Sequence, residues 1–513
     1  MPSTERRAYV RDCMPSSSRR FLVLGLDGGT FDLLDPLMEA GELPFLRSLV
    51  RRGLKAPLTS VYPAKTIPAW YCFATGKDPG ELGIFGFTEP DGGPARSRLV
   101  QTFRPAEALW DRLSRLGLRV GVLNLPLRNG YPVHGFVVPG FFSDGAETFP
   151  REIRSEIETA LGCPYPGELP VYHAADRAAW MESATRAVAQ RAQAAEALVR
   201  SHAPDFLFVL FRETDRVEHQ HWRELERPVA EIPADLRQFW RAVDAACAQV
   251  DAAFRAAGGP AITLVLSDHG HGAVRSDFLT NRWLADEGFL VFTDGDRLGG
   301  RNLLARTILA SQRFAIGRRL APRVAGLLES RREQPIGRLV AGATSFEEMA
   351  PRIDWRRTVA YSYPVPEGIY LNDRNPDLTP ERRAIVLRDL RARLEAYPEA
   401  HVEVLDPRSI YRGQHLERAP SLLIRVDGMT TEPWMDFRYP RPLIRERPEF
   451  FYGSGTHRMN GILIAAGEGV RPGQVAEALS LLDVAPTILE GMEGAPPSDL
   501  RGRSFGARLG LST

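Results

Sequence analysis

The chain has 513 residues, enough to bury a large core in one elaborated domain or in several. Its 65 Lys and Arg nearly balance 64 Asp and Glu, so no global field points to nucleic acid as a partner. Cys13, Cys72, Cys163 and Cys247 are scattered without a C-x-x-C pair, which argues against a disulfide framework or a thiolate zinc site.

Residues 1–20 are polar and arginine-bearing and read as a flexible tail. The apolar run that follows is too short for a signal sequence and has no cleavage site, and no run reaches membrane-spanning length. A cytoplasmic protein without a transmembrane segment is therefore expected. Residues 21–26 are apolar without polar alternation, the pattern of a strand buried on both faces, and they end abruptly at Asp27-Gly28-Gly29-Thr30. Residues 31–52 have helical spacing (Leu33, Leu34, Leu37, Leu46, Leu49) up to Gly53. A loop rich in Pro, Thr and Ser comes next, containing Tyr62-Pro63-Ala64-Lys65-Thr66-Ile67-Pro68-Ala69-Trp70.

Further on, 106–116 reads as a helix, and 119–124 and 136–139 read as strands. Long helices at 177–202 and 233–257 feed strands at 206–211 and 262–266. This alternation predicts an α/β fold with a doubly wound, mostly parallel central sheet flanked by helices. The pattern changes between 294 and 350. There, 302–340 reads as a helical insertion carrying Arg306, Arg313, Arg318, Arg319, Arg323, Arg331, Arg332 and Arg338, either a solvated decoration or a lid. From 358 shorter strands (358–361, 368–371, 402–405, 422–426) suggest a small β-rich subdomain. The sheet resumes at 461–466, and 479–489 reads as a last helix. The catalytic core is thus expected to comprise 21–293 and 351–513.

Three strand-like runs end at carboxylates: Asp27, Asp215 and Asp268. Ligands in open α/β sheets bind beyond the carboxyl ends of strands, and carboxylates gathered there repel unless a cation neutralises them. Asp215 and His219 stand four apart and share a helix face, Asp268-His269 offers two ligand types at one strand end, and His457 lies in the glycine-bracketed stretch Gly453-Ser454-Gly455-Thr456-His457. His221 and His271, each two residues beyond a stronger candidate, read as supporting residues. His134, His173, His202, His401 and His415 have no motif around them and read as structural or surface residues. Thr66 is the nucleophile candidate: a threonine hydroxyl needs a base or a metal to become reactive at neutral pH. Any one of these residues alone would be an ordinary structural residue.

Together, Leu-Asp-Gly-Gly at 26–29, Tyr-Pro-Ala-Lys-Thr at 62–66, Thr-Asp-x-x-x-His at 214–219, Ser-Asp-His-Gly at 267–270 and Gly-x-His at 455–457 resemble the alkaline phosphatase superfamily. The branch they look most like is the type I phosphodiesterase/nucleotide pyrophosphatase group. The resemblance implies one divalent ion on Asp215, His219 and His457 and a second on Asp27, Asp268, His269 and the nucleophile Thr66. It implies zinc, or manganese in some members, and hydrolysis of a small phosphorylated substrate, such as a nucleotide or other phosphodiester, through a phospho-threonine. The chain departs from the family where a histidine often precedes Gly83-Ile84, having Leu82, and where nucleotide pyrophosphatases carry an asparagine, having Phe85-Gly86-Phe87. The leaving group is therefore not implied. Lys65 and Trp70 are the expected substrate contacts, with Phe85 and Phe87 as an apolar wall, and a diester is expected to be preferred over a monoester.

Other classes fit less well. A sugar-kinase phosphate loop would be followed by a hairpin and would leave the Asp-His pairs unused. A haloacid-dehalogenase phosphatase needs an aspartate where Gly25 stands. A dinucleotide fold needs G-x-G-x-x-G. A sulfatase needs Cys/Ser-x-Pro-x-Arg. A phosphomonoesterase, a metal-dependent phosphomutase or a catalytically silent metal-binding relative remain as alternatives within the same superfamily.

Overall fold

The structure, a computed structural model, describes residues 19–92, 96–103, 106–140, 146–293, 346–435, 437, 444–446, 453–495 and 497–511. Its centre is strand β1 (Arg20–Leu26), fully buried along its length. Then follow α1 (Phe31–Glu39), α2 (Pro44–Arg52), β2 (Leu54–Thr59), α3 (Thr66–Thr75), β3 (Val120–Leu125), β4 (Gly135–Pro139), α4 (Arg177–His202), β5 (Phe206–Phe211), α5 (Glu213–Leu225), α6 (Ala234–Ala256), β6 (Ala261–Leu266) and β7 (Gly270–Ala273). Near the C-terminus, β8 (Gly455–Arg458) pairs with β7, and β9 (Asn460–Gly467) re-enters the large sheet. That sheet runs Gly473–Gln474, β2, β9, β6, β1, β5, β3, β4, and only β9 is antiparallel to its neighbours.

Period-two alternation divides each central strand between two cores. Phe21 and Val23 of β1, with Phe206, Phe208 and Leu210 of β5, face the core that contains α3. Leu22, Leu24 and Leu26, with Leu207, Val209 and Phe211, face the core built by α1, α2, α4 and α6. Each fully buried large apolar side chain contributes about 1.5–3 kcal/mol, so this double-sided burial fixes the strand register. Register in turn brings the ends of β5, β1 and β6 level: Leu26 pairs with Phe211, and Gly25 with Leu266.

Several boundaries differ from the sequence reading. The tail assigned to 1–20 overlaps the sheet at Arg20, a buried residue whose Nε and Nη2 donate to the Pro204 carbonyl at 3.3 and 2.9 Å. Residues 31–52 form two helices, because Pro44 disfavours helical backbone at Leu43 and opens α2. The stretch read as one long loop holds β2 and α3. Pro57 is tolerated inside β2 because its outer neighbours are separate short segments: Gly473–Gln474 lies against Leu54 and Lys55, and Leu479–Ser480 against Leu58 and Thr59. Pro68 sits in the first turn of α3, where a missing N–H is harmless. At 479–489 the chain first completes the sheet edge, then turns at Leu481–Asp483 into the helix Val484–Glu493.

The smaller sheet orders Ala360–Tyr361, Gly368–Leu371, Leu422–Val426, Thr431–Trp434, Ser276–Leu279 and Ile444–Glu446, with Val402–Leu405 beside Leu422–Val426. Ser276–Leu279 and the helix Thr280–Asp286 therefore belong to the β-rich unit, which begins before the insertion rather than after it. The arginine-rich stretch 302–340 lies outside the described residues. At the insertion's end, the short helix Phe346–Met349 anchors into the smaller core, Phe346 stacking on Tyr363 with ring centroids 4.5 Å apart. Among the described residues no helix is long and apolar enough to cross a membrane.

Gly25 is a glycine because of packing. A Cβ there would stand 2.7 Å from Trp70 Cη2 and 3.0 Å from Leu210 Cδ1. Gly25→Ala is expected to destabilise the fold by about 1–3 kcal/mol, the usual cost of overpacking. Urea unfolding monitored by circular dichroism measures this, and an unchanged midpoint would show that Trp70 yields freely.

Candidate metal centre

Three short hydrogen-bonded links align the strand ends. The Asp27 N–H donates to the Phe211 carbonyl at 3.2 Å, and Thr214 Oγ1 donates to the Asp27 and Phe211 carbonyls at 2.6 and 2.9 Å. Ser267 Oγ donates to the Gly29 carbonyl at 2.8 Å and accepts from the Ile462 N–H at 2.9 Å. Asp27, Asp215, Asp268 and His269 are thereby fixed at one edge of the sheet, all buried.

The side chains converge in two groups that share a wall. In the first, Thr66 Oγ1 lies 3.5 Å from Asp27 Oδ1 and 3.4 Å from His269 Nε2, and His269 Nε2 lies 3.7 Å from Asp27 Oδ1 and 3.3 Å from Asp268 Oδ2. In the second, Asp215 Oδ1 lies 3.2 Å from His219 Nε2 and 3.3 Å from His457 Nε2, and these two nitrogens face each other at 2.9 Å. The stacked rings of His269 and His457, with centroids 3.7 Å apart, join the groups. Donor atoms bound to one ion at about 2.1 Å stand roughly 3.4 Å apart in a tetrahedral arrangement. The observed spacings match it.

Two further observations fit a metal. First, backbone carbonyls fix the imidazole tautomers. His219 Nδ1 is 2.9 Å from the Gly455 carbonyl, His457 Nδ1 2.6 Å from that of Ala64, and His269 Nδ1 3.0 Å from that of Gly270. A carbonyl only accepts, so each Nδ1 carries a proton and Nε2 is the nitrogen left to face a metal. Second, Asp215 Oδ1 and Asp268 Oδ2 are buried and make no hydrogen bond. Burial, and then the charge of Asp215, push the Asp27 carboxyl well above the usual carboxylate range; burial and Asp27 do the same to Asp268. Burial also acts upward on Asp215, but the His219 and His457 rings outweigh it and hold that carboxyl well below the range. Burial and the neighbouring His457 push His269 well down, leaving it a neutral ligand.

The type I phosphodiesterase / nucleotide pyrophosphatase family model matches residues 21–431, more than half of the chain. The chain belongs to that family. Among solved structures it is similar to phosphonoacetate hydrolase from Sinorhizobium meliloti 1021, seen in complex with phosphonoformate (15% identity) and with phosphonoacetate (14% identity). Both comparisons cover 94% of this chain and 97% of that one, with a TM-score of 0.50, a likeness of fold. No match was found among curated proteins. With a buried His/Asp cluster able to hold metal, this member of the type I phosphodiesterase family is a metal-dependent phosphoester hydrolase.

The remaining expected residues divide. Lys65 borders a cleft beside His457, and its ammonium pairs with Glu367 at 2.8 Å and Glu432 at 3.7 Å. Trp70, expected against substrate, is instead wholly buried. Its Nε1–H donates to Asp27 Oδ2 at 3.1 Å and its ring packs edge-on against Phe73 and Phe208, so it holds a carboxylate in place. Phe85 is buried against Tyr411 and so does not form the expected apolar wall, while Phe87, half-buried, packs its ring on the core. His221 turns to Glu224, 3.0 Å away, and packs on Tyr172. His271 does the opposite: it joins the donor cluster with Asp215, His269 and His457. The signal was its spacing, since residues two apart along an extended chain point the same way. Glu218, three residues from Asp215 on α5, was not singled out in the sequence and is buried beside it.

Trp70→Phe removes one N–H and little volume. The expected outcome is a folded protein whose metal affinity falls about 10–100-fold, the usual effect of losing a ligand's orienting partner. Chelator competition measures it, and unchanged affinity would mean that Asp27 is held by packing alone.

Proposed function

We propose that this chain hydrolyses phosphodiester or pyrophosphate bonds of a small phosphorylated substrate through a phospho-threonine at Thr66. In this reading Asp27, Asp268, His269 and Thr66 hold one divalent ion and Asp215, His219 and His457 hold another, zinc or manganese. Bound there, the ions supply Lewis-acid polarisation of phosphoryl oxygens and make a nearby hydroxyl acidic at neutral pH. One observation carries the assignment. Thr66 Oγ1 lies at 3.4–3.5 Å from His269 Nε2 and Asp27 Oδ1, the outer limit of hydrogen bonding, so neither grips it as an ordinary partner.

Thr66 is also the first residue of α3, and the positive end of that helix favours negative charge developing on its oxygen. Attack by Oγ1 on phosphorus forms the P–O bond as the bond to the leaving group breaks. Water then displaces Thr66 and returns its oxygen. The Asp27 carboxylate is kept from rotating by Trp70, and Gly28 N–H, 3.3 Å from Asp268 Oδ1, does the same for its neighbour.

Charge around the cleft supports a diester. Its two described lining cations are already engaged, Lys65 by Glu367 and Glu432, and Arg425 by Glu403 at 2.6 Å. Neither is poised for the extra charge of a monoester dianion. The reading places the enzyme in the cytoplasm, supported by the free thiols of Cys72, Cys163 and Cys247.

Asp268→Ala and His457→Ala are expected to lose bound metal and nearly all turnover. Thr66→Ala should keep most metal but lose several orders of magnitude in kcat, while Thr66→Ser keeps part of it. Elemental analysis alongside kinetics separates the two kinds of loss, and wild-type turnover in Thr66→Ala would make water the direct nucleophile. Kinetics on a matched pair of aryl substrates should give a higher kcat/KM for the diester. Preference for the monoester would overturn the substrate class and leave the metal assignment standing.

A further inference from the structure

Glu218 and His271 are 0% exposed, and neither carboxylate oxygen and neither ring nitrogen makes a hydrogen bond. Glu218 Oε2 faces His271 Nδ1 at 3.5 Å, and Asp215 Oδ1 stands 3.7 Å from the same nitrogen. The space they border is kept open by Gly28. Its φ is +76°, and a Cβ there would meet Glu218 Oε2 at 2.7 Å and His271 Nδ1 at 3.0 Å. The groups are also held firmly. Asp215 and Glu218 share a face of α5, and His271 sits on β7 directly opposite His457 on β8, its ring edge against His219 with centroids 4.5 Å apart.

A buried ionised carboxylate without a partner is costly. Protonating Glu218 removes the charge but leaves its oxygens and the His271 nitrogens unsatisfied, because 3.5 Å is too long for a sound O–H···N bond. A cation between them satisfies both, and spacings of 3.5–3.7 Å suit donors about 2.1–2.2 Å from one ion.

We propose that Glu218, His271 and Asp215 form a third cation site, beside the two ions of the proposed function, which takes a divalent first-row ion such as Mn²⁺ or Zn²⁺. The mixed oxygen and imidazole donor set suits such ions better than soft ones. The site rests on the two-ion reading through Asp215, which it shares. It also settles the charge of the cluster. Two divalent ions only balance the buried carboxylates Asp27, Asp215, Asp268 and Glu218, whereas a third leaves net positive charge to meet an anionic phosphoryl group.

The test uses the full chain equilibrated with Mn²⁺ or with Zn²⁺ and freed of unbound metal. Elemental analysis should find one equivalent less in Glu218→Gln and in His271→Phe than in wild type. Anomalous diffraction from wild-type crystals grown with Mn²⁺ should place a peak between Glu218, His271 and Asp215, in addition to peaks at the two other groups. That map decides the matter even if both variants fail to fold. Peaks at the Asp27/Asp268/His269 and Asp215/His219/His457 groups alone, or one of them bonded to His271, would overturn the third site and leave the proposed function intact. Absence of peaks from those two groups would overturn the proposed function instead. Equal metal content in wild type and in folded Glu218→Gln also overturns the third site.

Discussion

Mutual repulsion of carboxylates at three neighbouring strand ends is the constraint on which this molecule is organised. Two like charges about 4 Å apart repel by about 4 kcal/mol at an effective dielectric near 20, against a whole-protein stability of about 5–15 kcal/mol. Asp27, Asp215 and Asp268 are nonetheless buried together, with Glu218 alongside. Burial and neighbouring charge push the Asp27, Asp268 and Glu218 carboxyls far upward, favouring their protonated forms, while His219 and His457 hold Asp215 low. Metal binding there releases protons, and its free energy adds to the stability of the fold.

The backbone prepares the site for that exchange. Carbonyls of Gly455, Ala64 and Gly270 each take one Nδ1–H, so Nε2 is the nitrogen that His219, His457 and His269 turn toward the cluster, and any proton there is the one a metal displaces. Those carbonyls come from β8, from the loop before α3 and from β7. Hence the C-terminal strands, far in sequence from Asp27, finish a centre that β1 begins. His457 illustrates the economy: one face of its ring stacks on His269, Nδ1 is anchored, and Nε2 points at Asp215 Oδ1.

Much of this was legible because it follows from local pattern. Unalternating apolar runs named β1, β5 and β6, and the acidic residues at their ends named the sheet edge. Ranges 177–202, 368–371, 402–405 and 422–426 coincide with observed elements. What stayed hidden depends on contacts between distant segments. Pro57 and Pro68 suggested loop, yet one sits where the sheet edge is interrupted and the other in a first helical turn. Trp70 looked like a substrate wall because an aromatic beside a nucleophile is ambiguous in sequence; only its N–H to Asp27 reveals the other role. Glu218 carried no motif, and its meaning comes from facing His271, a pairing across 53 positions that spacing alone does not show.

The smaller sheet is tied to the centre by electrostatics as well as by packing. Glu367 and Glu432 reach from it to Lys65, one residue before Thr66. Lys65 has 14% side-chain exposure and Glu367 has 9%, so this pair is nearer to a buried ion pair than to a surface one. A surface pair contributes little, but breaking a buried one by removing a single partner leaves a stranded charge. Here the stranded charge would lie beside Thr66 and alter the field in the donor cluster. The contact thus does two things at once. It docks the smaller sheet over the loop that carries Thr66, and it occupies the Lys65 ammonium with two carboxylates.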